Sequence, residues 1–174
     1  MRNFRSSLLV LSFTLIAAGS GSSSDAAFVR AALQSGSQEL ARATVASNST
    51  NTVERQYAGL ITADHSQANQ RLIAIAGPKG IDTSAGTSPS AISGNSPEPA
   101  GGANATQVAA QAPNPATYFR TEIAAHKTGI ALFRKEASSG HDPQLRSFAS
   151  SVLPALEKHL KMAQKDLALV NAAH

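Results

Sequence analysis

Three histidines stand where helical periodicity asks for apolar residues, and three imidazoles sharing a dry interior make a donor set for zinc, iron or copper(II). His126 interrupts the stripe Phe119, Ile123, Ile130, Phe133 and Ala137, whose members recur three or four residues apart. His159 holds the same kind of position among Leu145, Ala149, Val152, Leu156, Ala163 and Val170. His65 and its neighbour Asp64 flank the centre line of a third stripe, Tyr57, Ile61, Ala68, Leu72 and Ile75. Glu122 precedes His126 by one helical turn and shares its face. The candidate ligands of a transition metal are therefore His65, His126, His159, Asp64 and Glu122.

Other chemistry drops out. Carboxylate-bridged di-iron bundles use Glu-x-x-His pairs, and the chain has none, which argues against a ferroxidase. No Gly-x-Ser-x-Gly elbow is present, and "GPKG" lacks the spacing of a phosphate-cradling loop. Without cysteine there is no thiolate ligand, thiol nucleophile or disulfide. His141 and His174, at a turn and at a terminus, are expected to face solvent. The ordinary role for the buried histidines ranks ahead of metal binding at this point: His159 can bond the carbonyl that Pro154 frees, or pair with Asp64, and so fix helix register.

Four helices must position these side chains. The chain has no Trp, two Tyr and six Phe among abundant alanine, serine, leucine and glutamine, a composition that favours helix over a β-sandwich. Ser24 or Asp25 can cap a first helix, broken by "SNSTN" after Ala46; a second runs from near Asn51 to Ala76 and stops at Gly77-Pro78. Asn114-Pro115 and Asp142-Pro143 each join a capping side chain to a proline at the first helical position, and Gly140 ends the third helix. Residues 77–115, rich in Gly, Pro, Ser, Ala and Thr, read as a long disordered linker between hairpins 25–76 and 116–172, which share one bundle. At about 1.5 Å per residue the three histidines all fall near mid-bundle. Helix one presents Val29, Leu33, Gly36, Leu40 and Ala43. Glu39 lies roughly 50° from the centre of that face, so its burial is plausible but weaker, and about 10 Å from the histidine level, which weakens it as a shared ligand.

The hairpins resemble each other. "AFVRAAL" parallels "TYFRTEI", and "QYAGLITADH" parallels "SFASSVLPALEKH", with three extra residues around Pro154 that predict a local bulge. The segments "YAGLITADHSQANQRL" and "LFRKEASSGHDPQLRSFASSVLPALEKHL" resemble those of exported bacterial proteins catalogued as domain of unknown function 4142. That resemblance implies an all-α, ferritin-like four-helix bundle and an exported location, and brings no activity with it.

The N-terminus agrees with export. A basic start, an apolar stretch from Leu8 to Ala18 and then small residues make a secretory leader over 1–24, cut somewhere between residues 18 and 26. The apolar run is too short to span a bilayer. Of 15 basic residues, Arg2 and Arg5 fall in this leader, leaving near balance with 11 acidic ones and no footprint for nucleic acid. Lys127, Arg134, Lys135, Lys158, Lys161 and Lys165 solvate outer faces or meet an anionic envelope surface. The expectation is a periplasmic or secreted, non-enzymatic binding or envelope-associated protein, open to self-association, with a mid-core metal site as the alternative.

Overall fold

The computed structural model describes residues 23–86 and 114–173, which form four α-helices and no strand. α1 spans Ser23–Ala46, α2 Thr52–Ala76, α3 Pro115–Ser139 and α4 Pro143–Ala172. Their ends lie where side chains satisfy the orphan backbone groups of a helix. Asn51 accepts from the amide of Glu54, Asn114 from Ala116, and Asp142 from both Gln144 and Leu145. Among the described residues no helix is long and apolar enough to cross a membrane.

α1 packs beside α2 and α3, α4 packs beside the same two, and the pairs α1–α4 and α2–α3 lie on the diagonals. Contacts at one end give the directions. The buried carboxylate of Asp25, in the first turn of α1, accepts from the amides of His141 and Asp142 at 2.9 and 3.0 Å. Lys79, just past α2, reaches Asp142 at 2.8 Å and Gln144 at 2.6 Å. The start of α1, the end of α2, the end of α3 and the start of α4 therefore share that end. Neighbouring helices are all antiparallel, the order is up, down, down, up, and the α2–α3 connection must return along the bundle.

That connection begins as folded chain, where the composition suggested linker from Gly77 onward. Two 3₁₀ turns, Gly77–Lys79 and Ser84–Gly86, lay it against the bundle; Ile81 is buried, and Ser37 of α1 donates to the carbonyl of Ala85 at 3.0 Å. One isoleucine amid Gly, Ser and Thr is enough to anchor the segment. The rest of the expected linker, residues 87–113, lies outside the described residues, as do the expected leader up to residue 22 and His174. Nor does α4 bulge at Pro154: it is helical throughout, with Pro154 and Ser150 both exposed, so water can reach the carbonyl that the proline leaves unbonded.

The core falls into two apolar clusters. Phe28, Leu33, Leu72, Phe133, Phe148 and Leu156 belong to one, with Phe28 edge-on to Phe133 at 5.2 Å. Tyr57, Ile61, Tyr118, Phe119 and Val170 belong to the other, with Tyr57 edge-on to Phe119 at 5.4 Å. Between them lies a layer of buried polar side chains: Glu39, His65, Asn69, Glu122, His126 and His159. Each helix contributes to it.

Candidate metal centre

The three imidazoles meet. Their ring centroids are 5.6 Å (His65–His126), 5.6 Å (His65–His159) and 5.4 Å (His126–His159) apart, a nearly equilateral triangle. A point at its centre is about 3.2 Å from each centroid, the distance at which a metal sits from an imidazole that turns a nitrogen toward it. One potential ligand atom from each histidine lies within 4.8 Å of the other two, and the same holds for Glu39, Glu122 and His126.

Hydrogen bonds decide which nitrogen of two rings is free. His126 Nδ1 lies 2.9 Å from the carbonyl oxygen of Glu122, one turn back. A carbonyl only accepts, so Nδ1 carries the proton and Nε2 the lone pair. His159 Nε2 lies 2.8 Å from Asp64 Oδ2 and donates to that carboxylate, which puts the lone pair on Nδ1. His126 Nε2 and His159 Nδ1, the two nitrogens left with lone pairs, are buried with no hydrogen-bond partner among the described residues, and so is His65 Nε2.

The carboxylates repeat this division. Ser35 Oγ donates to Glu39 Oε1 at 3.0 Å, and Arg42 Nε donates to Glu122 Oε1 at 2.7 Å. Glu39 Oε2 and Glu122 Oε2 are left buried and without a hydrogen bond. Glu39 Oε2 is 3.6 Å from His65 Nε2 and 3.5 Å from His126 Nδ1, and Glu122 Oε2 is 3.8 Å from His126 Nδ1. Four of these side chains thus spend one polar atom on a neighbour and leave the other unbonded; the free nitrogens belong to the histidine triangle, and the two free carboxylate oxygens lie beside His126 Nδ1. In a folded protein nearly every buried polar atom is bonded, so a convergent group of exceptions marks a place for a ligand.

The electrostatics suit a cation. Burial, reinforced by His126 and His159, lowers the pKa of His65 to about 3, and burial also lowers that of His159 although the bond to Asp64 opposes it. Both rings are neutral at physiological pH and can give a lone pair to a metal. Burial raises Glu122 above the ordinary carboxylate range in spite of the adjacent Arg42. Its unfavourable negative charge is what a bound cation would relieve.

Of the five expected side chains, His65, His126, His159 and Glu122 come together in the layer. Asp64 is half-exposed at its rim and bonds His159 rather than turning inward. The alternative partner for His159, the carbonyl freed at Pro154, is not used. Glu39 corrects the sequence reading: its side chain is nearly fully buried within the layer, whereas Leu40 is only half-buried. Two assumptions misplaced it. Weighting helix one by its few large residues pulled the face toward Leu40, although the small residues Ala32, Gly36, Ala43 and Ala46 hold the buried positions with Glu39 between them. Levelling the helices at their ends shifted it along the axis. In fact Glu39 faces His65 and Gly36 faces Asn69; that register sets Ala46 beside Ala58, so α2 extends about 9 Å past the end of α1. Arg42 and Ser35, which orient the two glutamates, went unrecognised because a half-exposed arginine or serine on an Ala-rich helix carries no periodic signal.

The chain has no match among curated proteins or solved structures. A family model does match, over residues 13–165, a span that takes in α1, α2, α3 and most of α4. The chain with this histidine and carboxylate layer belongs to the family described as Domain of unknown function (DUF4142).

Proposed function

We propose that this protein is an exported bundle whose central layer binds one transition-metal ion, with His65, His126 and His159 as ligands and the carboxylates of Glu39 and Glu122 beside it. The observation that carries the reading is the histidine triangle, three buried rings from three helices whose His65 Nε2, His126 Nε2 and His159 Nδ1 have no hydrogen bond, with unbonded carboxylate oxygens of Glu39 and Glu122 beside it. A purely structural polar layer would close its hydrogen bonds within itself; here Asp64, Ser35, Arg42 and the Glu122 carbonyl each satisfy one atom of a side chain and leave the other unbonded. One ion rather than two is favoured because His126 has a single lone pair to offer. Nitrogen and carboxylate donors without sulfur suit zinc, iron(II) or copper(II). The basic and apolar start of the chain supports export, and up-down-down-up helices with one long crossover are the connectivity of ferritin-like bundles.

Protein stripped with chelator and then dialysed against zinc, cobalt(II), iron(II) or copper(II) should retain one ion per chain with at least one of them. Replacing His126 or His159 by alanine should weaken retention about a hundredfold or more. Substoichiometric metal with all four ions, or undiminished metal in both variants, rejects the site.

A further inference from the structure

A cavity of about 40 Å³ adjoins the three histidines. One side is formed by His65, His126, His159, Glu39 and the amide of Asn69; the other is hydrocarbon, chiefly from Leu72, Phe133, Phe148, Val152 and Leu156. Two glycines also line it, Gly36 of α1 and Gly129 of α3. Gly36 has a packing reason to lack a side chain, since a Cβ there would collide with the amide of Asn69. Gly129 has none: it is buried mid-helix, yet a Cβ built on it meets nothing within 4 Å. A glycine in a helix interior costs stability relative to alanine, and here alanine would fit. What alanine would take away is room beside the histidines.

We propose that this chamber receives a small, uncharged diatomic molecule as an additional ligand of the bound metal, a proposal that rests on the metal reading above. Size sets the first limit. One water occupies about 10–15 Å³ on this measure, so the space holds a few atoms and excludes an organic substrate. Charge sets the second. Two carboxylates already neutralise a divalent ion, and Arg42, the cation nearest the layer, is bonded to Glu122. An entering anion would gain little from the ion and would lose its water against methyl and phenyl groups. A neutral diatomic incurs neither penalty. Half-buried Ser35, Asp64 and Ala155 at the edge of the cavity mark its side nearest to solvent.

Nitric oxide is the probe. Full-length protein is loaded anaerobically with iron(II) or cobalt(II), the metal content is measured, and nitric oxide is titrated while electron paramagnetic resonance and visible spectra are followed. One nitrosyl per metal is expected. Gly129→Ala should load the same metal and bind nitric oxide about tenfold more weakly, Gly129→Val more weakly still, in line with the effect of a methyl group or two in a tight pocket. Azide should compete poorly with nitric oxide in the wild type. Metal without a nitrosyl, a nitrosyl unaffected by either substitution, or azide binding in preference to nitric oxide overturns the diatomic chamber and leaves the metal site standing. If neither iron(II) nor cobalt(II) loads, the chamber proposal falls; if zinc and copper(II) also fail, the metal reading falls with it.

Discussion

Replacing His65 by leucine separates a metal centre from a structural polar layer, because the two assign opposite signs to the change in the metal-free protein. The ring of His65 is buried beside those of His126 and His159, and its Nε2 lacks a hydrogen bond. Leucine has a similar volume and no polar atom, so it removes a desolvated group that costs about 1–3 kcal/mol when left unpaired. With chelator present at pH 8, the variant should be the more stable form by about 1 kcal/mol or more, which at this chain length is roughly 2–4 °C in Tm. Lowering the pH widens the gap. The unfolded chain protonates His65 near pH 6.5, whereas the folded chain resists until about pH 3. In that window the unfolded state binds more protons, so this group's contribution is complete above pH 6.5 and is lost as the pH falls. At pH 5 the loss is about 2 kcal/mol for the wild type and absent from the variant; the dependence due to His159 and to the carboxylates that burial raises, Glu122 among them, stays in both. The assay is urea unfolding in chelator at pH 8 and pH 5. Zinc in excess should reverse the order, since a ligand at a hundred times its dissociation constant adds about 2.7 kcal/mol to the form that binds it. A variant less stable than wild type at pH 8, with an unchanged pH slope and no differential response to any metal, would refute the reasoning.

Two further substitutions test the supports of the site and of the fold. Asp64→Asn removes the carboxylate that accepts from His159 Nε2; because Asp64 is half-exposed, stability should change by less than about 1 kcal/mol, while metal affinity measured by chelator competition should fall roughly 10- to 100-fold. Asp25→Ala deprives the amides of His141 and Asp142 of their acceptor, and thermal unfolding should show a Tm lower by roughly 4–10 °C. If the proposed leader is removed, a cut after Ala26 would take Asp25 with it, so intact mass should then place the new N-terminus upstream of Asp25.

The helices were legible because their boundaries are chemical. Asn51, Asn114-Pro115 and Asp142-Pro143 announce themselves by capping oxygens and by a proline where no amide is needed, and the structure begins α2, α3 and α4 there. His126 and His159 were legible for a similar reason, since a polar residue in a stripe of Phe, Ile and Leu contrasts with its neighbours. Glu39 had no such contrast. Around it the buried positions of α1 are alanine and glycine, which signal neither face nor depth, and its level depends on the stagger between α1 and α2 rather than on either helix alone. Hydrogen-bond geometry was beyond the sequence as well: that Asp64 supports His159 instead of lining the layer follows from packing across α2 and α4.

The internal repeat explains how an asymmetric site can sit in a nearly symmetric bundle. In the register that pairs Phe28 with Tyr118, Ala32 corresponds to Glu122, Gly36 to His126 and Glu39 to Gly129. At each of these three positions one hairpin supplies the polar side chain and the other a residue small enough to leave space. Two copies bearing large polar groups at every such position would overfill a layer that helices pack at 8–10 Å, and two copies with only small ones would leave an apolar void. Only the second helices keep the same residue, His65 and His159, and those rings, 5.6 Å apart and inclined by 26°, are the nearest to parallel in the layer. The extra residues around Pro154, itself exposed on α4, advance His159 by three positions relative to its counterpart. Three positions advance a side chain by about 4.5 Å and carry it through roughly 300°, which keeps it near the same face while shifting its level. An exact duplicate of hairpin one would therefore set its histidine most of a turn away from the layer, so the insertion and the complementary small residues serve one geometric end: bringing three imidazoles and two carboxylates from four helices to a single depth.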